Sequence, residues 1–237
     1  MKIRGARECK ACGSQWSYYE TGSIECPDCG SLRSVGVDDR TEHTDSPASL
    51  DLSPVVERLE ADSLSAVATD AAERCQEYTR KRGFIRAGDL EPLDATYVAA
   101  VELRYVAAEL ARSMRVSDEE ELFFLSLLRG AEAGDRPPAA EVPDSLVAAR
   151  GLATAAIVDA YRRDLTRYLD DNPNQSARRT LGQLVDHKKR IEALDGAVPA
   201  ETSEAVLQAL TDLSHFVALG DEGALATAQE RLTDLES

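Results

Sequence analysis

Cys9-Lys10-Ala11-Cys12-Gly13 and Cys26-Pro27-Asp28-Cys29-Gly30 decide the reading of this chain. Two residues between cysteines let a tight turn aim both sulfurs at one ion, and the glycine after each second cysteine permits the left-handed backbone of such a knuckle. The pairs are thirteen residues apart, room for one short excursion. The spacing predicts a single metal site with Cys9, Cys12, Cys26 and Cys29 as ligands and zinc as the metal. Rubredoxin-like electron-transfer sites hold iron with the same four sulfurs, so iron stays as the alternative. A ribbon of about 40 residues rarely folds without a staple, and a structural zinc contributes on the order of 10–16 kcal/mol of apparent binding free energy.

Around the knuckles, residues 7–37 read as a zinc ribbon. Gln15 to Tyr19 alternates like a half-buried strand, Glu20-Thr21-Gly22-Ser23 reads as a hairpin turn, Ile24-Glu25 returns the chain, and Leu32 to Val37 supplies a third strand. Trp16, Tyr18 and Tyr19 beside Arg4, Arg7, Lys10 and Arg33 fit two roles. They could stack bases and neutralise phosphates. More simply, Trp16 and one tyrosine cover the metal centre and form the ribbon's own core.

Residues 38–53 are polar, acidic and aperiodic, which reads as a linker. From 54 to 237 the pattern is helical, with about eight helices and short connections. Asp94, Asn174 and Asp221 stand at helix starts, and Ser117-x-x-Glu120 is a capping box. The helix after Asp94 is apolar on two sides, which places it centrally. A break is expected near 131–143, in the Gly134 to Pro143 loop. The expected fold is mainly α: a small N-terminal ribbon over residues 1–37 followed by a bundle-like helical domain.

The chain of 237 residues carries a net charge of −16, with 43 acidic and 27 basic side chains. Only five of the basic residues are lysine, and the dense carboxylates resemble proteins of extreme halophiles, whose acidic surface serves solubility. Residues 1–37 hold five positive and four negative side chains, so the ribbon is the least acidic part. The absence of an apolar leader or membrane-length run, with four cysteines in metal spacing and Cys75 alone on an apolar helix stripe, predicts a cytoplasmic protein without a disulfide framework. Basic clusters on the helices, such as Arg80-Lys81-Arg82, read as solvated faces.

Phosphate-binding loops, His-Glu-x-x-His and nucleophile-elbow motifs are missing. With His43, His187 and His215 as the only histidines, two Glu-x-x-His pairs for a di-iron bundle cannot be drawn. Through Arg7-Glu8-Cys9-Lys10-Ala11-Cys12-Gly13, Trp16-Ser17-Tyr18-Tyr19 and Glu25 to Val37, the chain resembles an uncharacterised haloarchaeal family with an N-terminal zinc ribbon of the transcription factor B type. The likeness extends into Arg82-Gly83-Phe84-Ile85 and Leu110 to Val116. It implies a lineage and a metal but no activity, and nothing after residue 38 looks like a cyclin-type repeat. The resulting expectation is a non-enzymatic interaction or adaptor protein with a protein partner. The alternatives are nucleic-acid binding through the ribbon and rubredoxin-like electron transfer.

Overall fold

Five short strands build the N-terminal part: β1 (Lys2–Arg4), β2 (Ala6–Cys9), β3 (Gln15–Ser17), β4 (Ser34–Gly36) and β5 (Arg40–Glu42). The structure is a computed structural model and describes residues 1–236. β2 is the middle of an antiparallel sheet ordered β3-β2-β4, with Arg7 opposite Trp16 and Glu8 opposite Val35. β1 and β5 form a separate antiparallel pair in which Arg4 faces Arg40.

The excursion between the knuckles differs from the expected hairpin. After Ser17 the chain turns into a single helical turn, α1 (Tyr18–Thr21), ended by Gly22 at φ 63°. The Tyr18 N–H donates to the Gly5 carbonyl at 2.7 Å, and the Tyr19 ring lies on Gly5, where any Cβ would sit 1.8 Å from a ring carbon. The strand ends where Tyr19 tucks against that glycine. Ile24-Glu25 stays outside the sheet, and the third strand is shortened to β4, which pairs with β2.

The segment read as an aperiodic linker contains β5, and the residues after it are bonded on both sides. Thr44 N–H donates to the Ile85 carbonyl at 2.9 Å, and the Asp45 carboxylate accepts from Gly83 N–H at 3.1 Å and from Arg82 at 3.2 Å. Gly83 is needed because a Cβ there would meet the Thr44 backbone at 2.4 Å.

His43 is buried, with its ring centroid 4.6 Å from that of Tyr19, and neither ring nitrogen has a hydrogen-bond partner. Burial lowers its pKa below the usual 6.5, and does the same for His187 in the bundle. On acidification the unfolded chain therefore takes up these protons before the folded one. Stability is expected to decline as pH falls through about 6.5 and to level off below the folded-state values. Denaturant titrations across this range should show the slope. His43→Phe should reduce it while leaving stability near neutral pH unchanged, since no hydrogen bond is lost.

Eight helices follow among the described residues: α2 (Ser53–Val56), α3 (Leu64–Lys81), α4 (Ala95–Arg112), α5 (Asp118–Gly130), α6 (Val147–Asp171), α7 (Gln175–Ala193), α8 (Ala200–Leu219) and α9 (Glu222–Asp234). This is the expected mainly helical bundle behind a β-rich N-terminus. Asp94, Asn174 and Asp221 cap α4, α7 and α9, and Ser117 with Glu120 forms both halves of the capping box on α5. Ser63 caps α3, its side chain accepting from Ala66 N–H. α4 is central, packing against α3, α5 and α6.

The helical run is interrupted once by a hairpin that periodicity did not foretell. β6 (Ile85–Arg86) and β7 (Asp89–Leu90) are joined through Ala87 at φ 57° and Gly88 at φ 96°, the two positive angles of a type I′ turn. No helix among the described residues is long and apolar enough to cross a membrane.

A buried charge network ties the bundle together. Glu102 of α4 and Arg150 of α6 are each 1% exposed, with Nε and Oε1 3.1 Å apart. Arg136, from the 131–143 segment read as a break, reaches Glu102 at 2.6 Å and Glu204 of α8 at 2.7 Å. Arg150 also donates to the Pro137 carbonyl at 2.9 Å.

Candidate metal centre

The two knuckles have the same backbone pattern. Cys9 N–H donates to the Ser14 carbonyl at 2.8 Å and Gly13 N–H to the Cys9 carbonyl at 3.0 Å; Cys26 N–H donates to Ser31 at 3.0 Å and Gly30 N–H to Cys26 at 2.9 Å. Gly13 and Gly30 have φ of 81° and 69°, the left-handed conformation the sequence anticipates. Lys10 N–H donates to the Arg33 carbonyl at 2.8 Å, fastening the first knuckle to the chain entering β4.

The four sulfurs converge. Cys9 Sγ lies 3.6 Å from Cys29 Sγ and Cys12 Sγ lies 3.6 Å from Cys26 Sγ, and all four fall within 4.8 Å of one another. A tetrahedron with metal–sulfur bonds of about 2.3 Å has edges of about 3.8 Å, so the cluster has the size a zinc ion requires. Four thiolates fill a tetrahedral shell, leaving no open position for water or substrate. The same closed shell would form around zinc or iron. Cys9 and Cys26 are buried while Cys12 and Cys29 are exposed, so the cluster sits at the ribbon's surface with one sulfur of each pair turned inward.

Electrostatics reinforce the fit. Hydrogen bonding with Ser14 pulls the Cys12 thiol down to about 6, and backbone N–H groups of Cys12 and Ala11 lower Cys9. Cys29 also has the Ser31 N–H acting to lower it, yet Cys12, burial, Cys26 and Cys9 together push it up to about 12. Thiols this close cannot all ionise unless a cation sits among them. Within residues 1–37 the only buried residues are Gly5, Cys9 and Cys26, so the ribbon's interior consists of little besides the cluster.

The structure separates the aromatic and basic residues singled out from the sequence. Trp16 is half-buried and its Nε1 donates to the Ser23 carbonyl at 3.1 Å, a role inside the ribbon. Tyr19 bonds Thr41 at 2.6 Å and packs on His43. Lys10 pairs with Glu8 at 2.8 Å, and Arg33 is exposed elsewhere. Arg4, Arg7 and Tyr18 do share a cleft of about 390 Å3, joined there by Lys2 and Arg40. The last two were missed because pairing of β1 with β5 was invisible in an apparent linker. Cys75 is fully buried on α3, where burial pushes its thiol up to about 12, an inert core position.

A family model matches residues 1–232, covering the ribbon, the segment after it and the helices up to α9. The chain belongs to DUF7117, a family of unknown function. The matched span takes in both the cysteine cluster and the helical bundle. No curated protein and no solved structure matches the chain.

Proposed function

We propose that this DUF7117 chain is a zinc-stapled interaction protein of the cytoplasm that works by recognition rather than turnover, docking a partner protein through its ribbon. The observation that carries the reading is where large apolar side chains are exposed. Of nine such residues among those described, Met1, Ile24, Leu32, Val35 and Val37 all fall in the first 37. A closed four-sulfur site supplies rigidity to that surface and no reactive position. Zinc suits a structural role of this kind, with iron and rubredoxin-like electron transfer as the competing assignment. The knuckle sequences support kinship with transcription factor B-type ribbons and with the haloarchaeal family they resemble.

Crosslinking and affinity capture at the salt concentration of the source cell test this. Wild-type protein is expected to retain specific partners that a metal-loaded Leu32→Asp/Val37→Asp variant loses. Identical capture by both would contradict the reading.

A second reading, nucleic-acid binding, is favoured by the cleft of Lys2, Arg4, Arg7 and Arg40 with Tyr18, whose wall carries no carboxylate. Arg4 faces Arg40 directly across the β1–β5 pair, a like-charge arrangement that an anion would relieve. Oligonucleotide affinity that falls with salt and is lost in Arg4→Gln/Arg40→Gln would favour it over the first.

A further inference from the structure

On the helical side of the molecule, α3, α4 and α6 surround a cavity of about 450 Å3. Arg80 and Arg82 at the end of α3, Arg104 on α4, and Arg163 and Arg167 one turn apart on α6 all line it, against a single carboxylate, Asp164. On a chain with 43 acidic and 27 basic side chains, a surface drawn at random would be acidic. Here three helices turn the balance the other way.

The arginines are not gathered to neutralise a cluster of acids. Asp164 is largely engaged by the fold: its Oδ2 accepts from the Thr44 hydroxyl at 2.6 Å and from Phe84 N–H at 2.8 Å. Its Oδ1 lies 3.6 Å from Arg167, a loose contact, and Arg163 is equally loose against Asp159 at 3.6 Å. Arg82 is held by Asp45 at 3.2 Å. Arg80 and Arg104 have no carboxylate within ion-pair distance among the described residues. Arg104 is steadied by the Tyr105 ring, 5.6 Å from its centroid.

The cavity also has an organic side. Phe84 and Tyr97 form part of its floor, their ring centroids 4.9 Å apart. The Tyr97 hydroxyl has no hydrogen-bond partner among the described residues. Burial raises its pKa to about 12, while Arg163 and Arg104 both act to lower it, so the two guanidiniums project their charge onto the same floor.

We propose that this cleft binds a small anion carrying two or more phosphate groups, of nucleotide size. Guanidinium forks match phosphate oxygens two at a time, so five arginines around one cleft suit such a ligand. The volume falls in the range of roughly 300–1,000 Å3 typical of small-molecule sites and exceeds what one phosphate fills. The proposal is independent of the ribbon's role, since no residue of the cavity lies before Thr44.

Calorimetric titration of the full metal-loaded chain at low salt, with ATP, pyrophosphate and adenosine as probes, tests it. ATP and pyrophosphate should bind and adenosine should not. With tripolyphosphate as a further probe, ATP binding more tightly than tripolyphosphate assigns the floor to a base, whereas equal affinity assigns the site to an inorganic polyphosphate. Arg104→Gln/Arg163→Gln should weaken binding by about tenfold or more per arginine removed. The pair Arg129→Gln/Arg179→Gln, exposed and outside the cleft, should change nothing. Circular dichroism of each variant shows that the helices are retained, and Arg104→Lys, which keeps the charge but not the fork, should fall between wild type and the double variant. The proposal is overturned if neither phosphate probe binds, or if the control pair weakens binding as much as the cleft pair. It is also overturned if a single-stranded oligonucleotide binds through Arg104 and Arg163 while ATP and pyrophosphate do not.

Discussion

Replacing Cys26 with serine is expected to release the metal and unfold the ribbon while the helices stay folded. Cys26 is 1% exposed, and with Gly5 and Cys9 it accounts for every buried residue in the first 37. The apolar burial that stabilises α3 to α9 has no counterpart there. Without the ion, β2, β3 and β4 keep only a few backbone hydrogen bonds and must meet an ordering cost of about 1–2 kcal/mol per residue. A metal contribution on the order of 10–16 kcal/mol cannot be replaced by that sheet. Limited proteolysis should cut the variant between residues 10 and 35 and spare the bundle, with the helical circular dichroism signal retained. A variant that keeps a protease-resistant ribbon without metal would contradict the energetic account.

Glu102→Ala is expected to have the largest effect within the bundle. The glutamate faces Arg150 at 3.1 Å and Arg136 at 2.6 Å, and both Glu102 and Arg150 are 1% exposed. Its removal leaves the buried Arg150 guanidinium with one carboxylate, Glu204, 3.6 Å away and 24% exposed, beside the Pro137 carbonyl. Stranding a buried charge in this way typically costs about 3–5 kcal/mol, much more than a surface pair would. For a chain of this size that corresponds to a fall of about 6–20 °C in Tm. Replacing the pair together, Glu102→Leu/Arg150→Met, should be milder than the single change because no charge is left stranded. Thermal denaturation of the three proteins decides it, and a single variant as stable as wild type would show that the network is solvated rather than buried.

Local chemistry was readable in the chain and distant pairing was not. The knuckles were legible because each needs only a five-residue pattern, and Asp94, Ser117, Asn174 and Asp221 announced their helices through side chains that bond the next turn. The β6–β7 hairpin was missed because its first left-handed residue is Ala87, a type that seldom takes φ 57° and gives no turn signal. β5 was hidden in a stretch whose order comes from partners 36 to 40 residues away in sequence, Lys2 to Arg4. The same blindness applies to charge. Glu102, Arg136, Arg150 and Glu204 each look like ordinary solvated residues, and the clusters read as solvated faces gave no hint that Arg80 and Arg82 share a cleft with Arg104, Arg163 and Arg167. Only the packing of α3, α4 and α6 brings those guanidiniums together.

The central claim is that one ion held by four sulfurs gives the ribbon its shape. Elemental analysis of the intact chain, paired with thiol titration before and after chelation, tests it most directly. The account predicts one zinc ion per chain, Cys9, Cys12, Cys26 and Cys29 unreactive until the metal is removed, and a ribbon that loses its structure at that moment. Metal-free protein with a folded ribbon and four freely reacting thiols would contradict it.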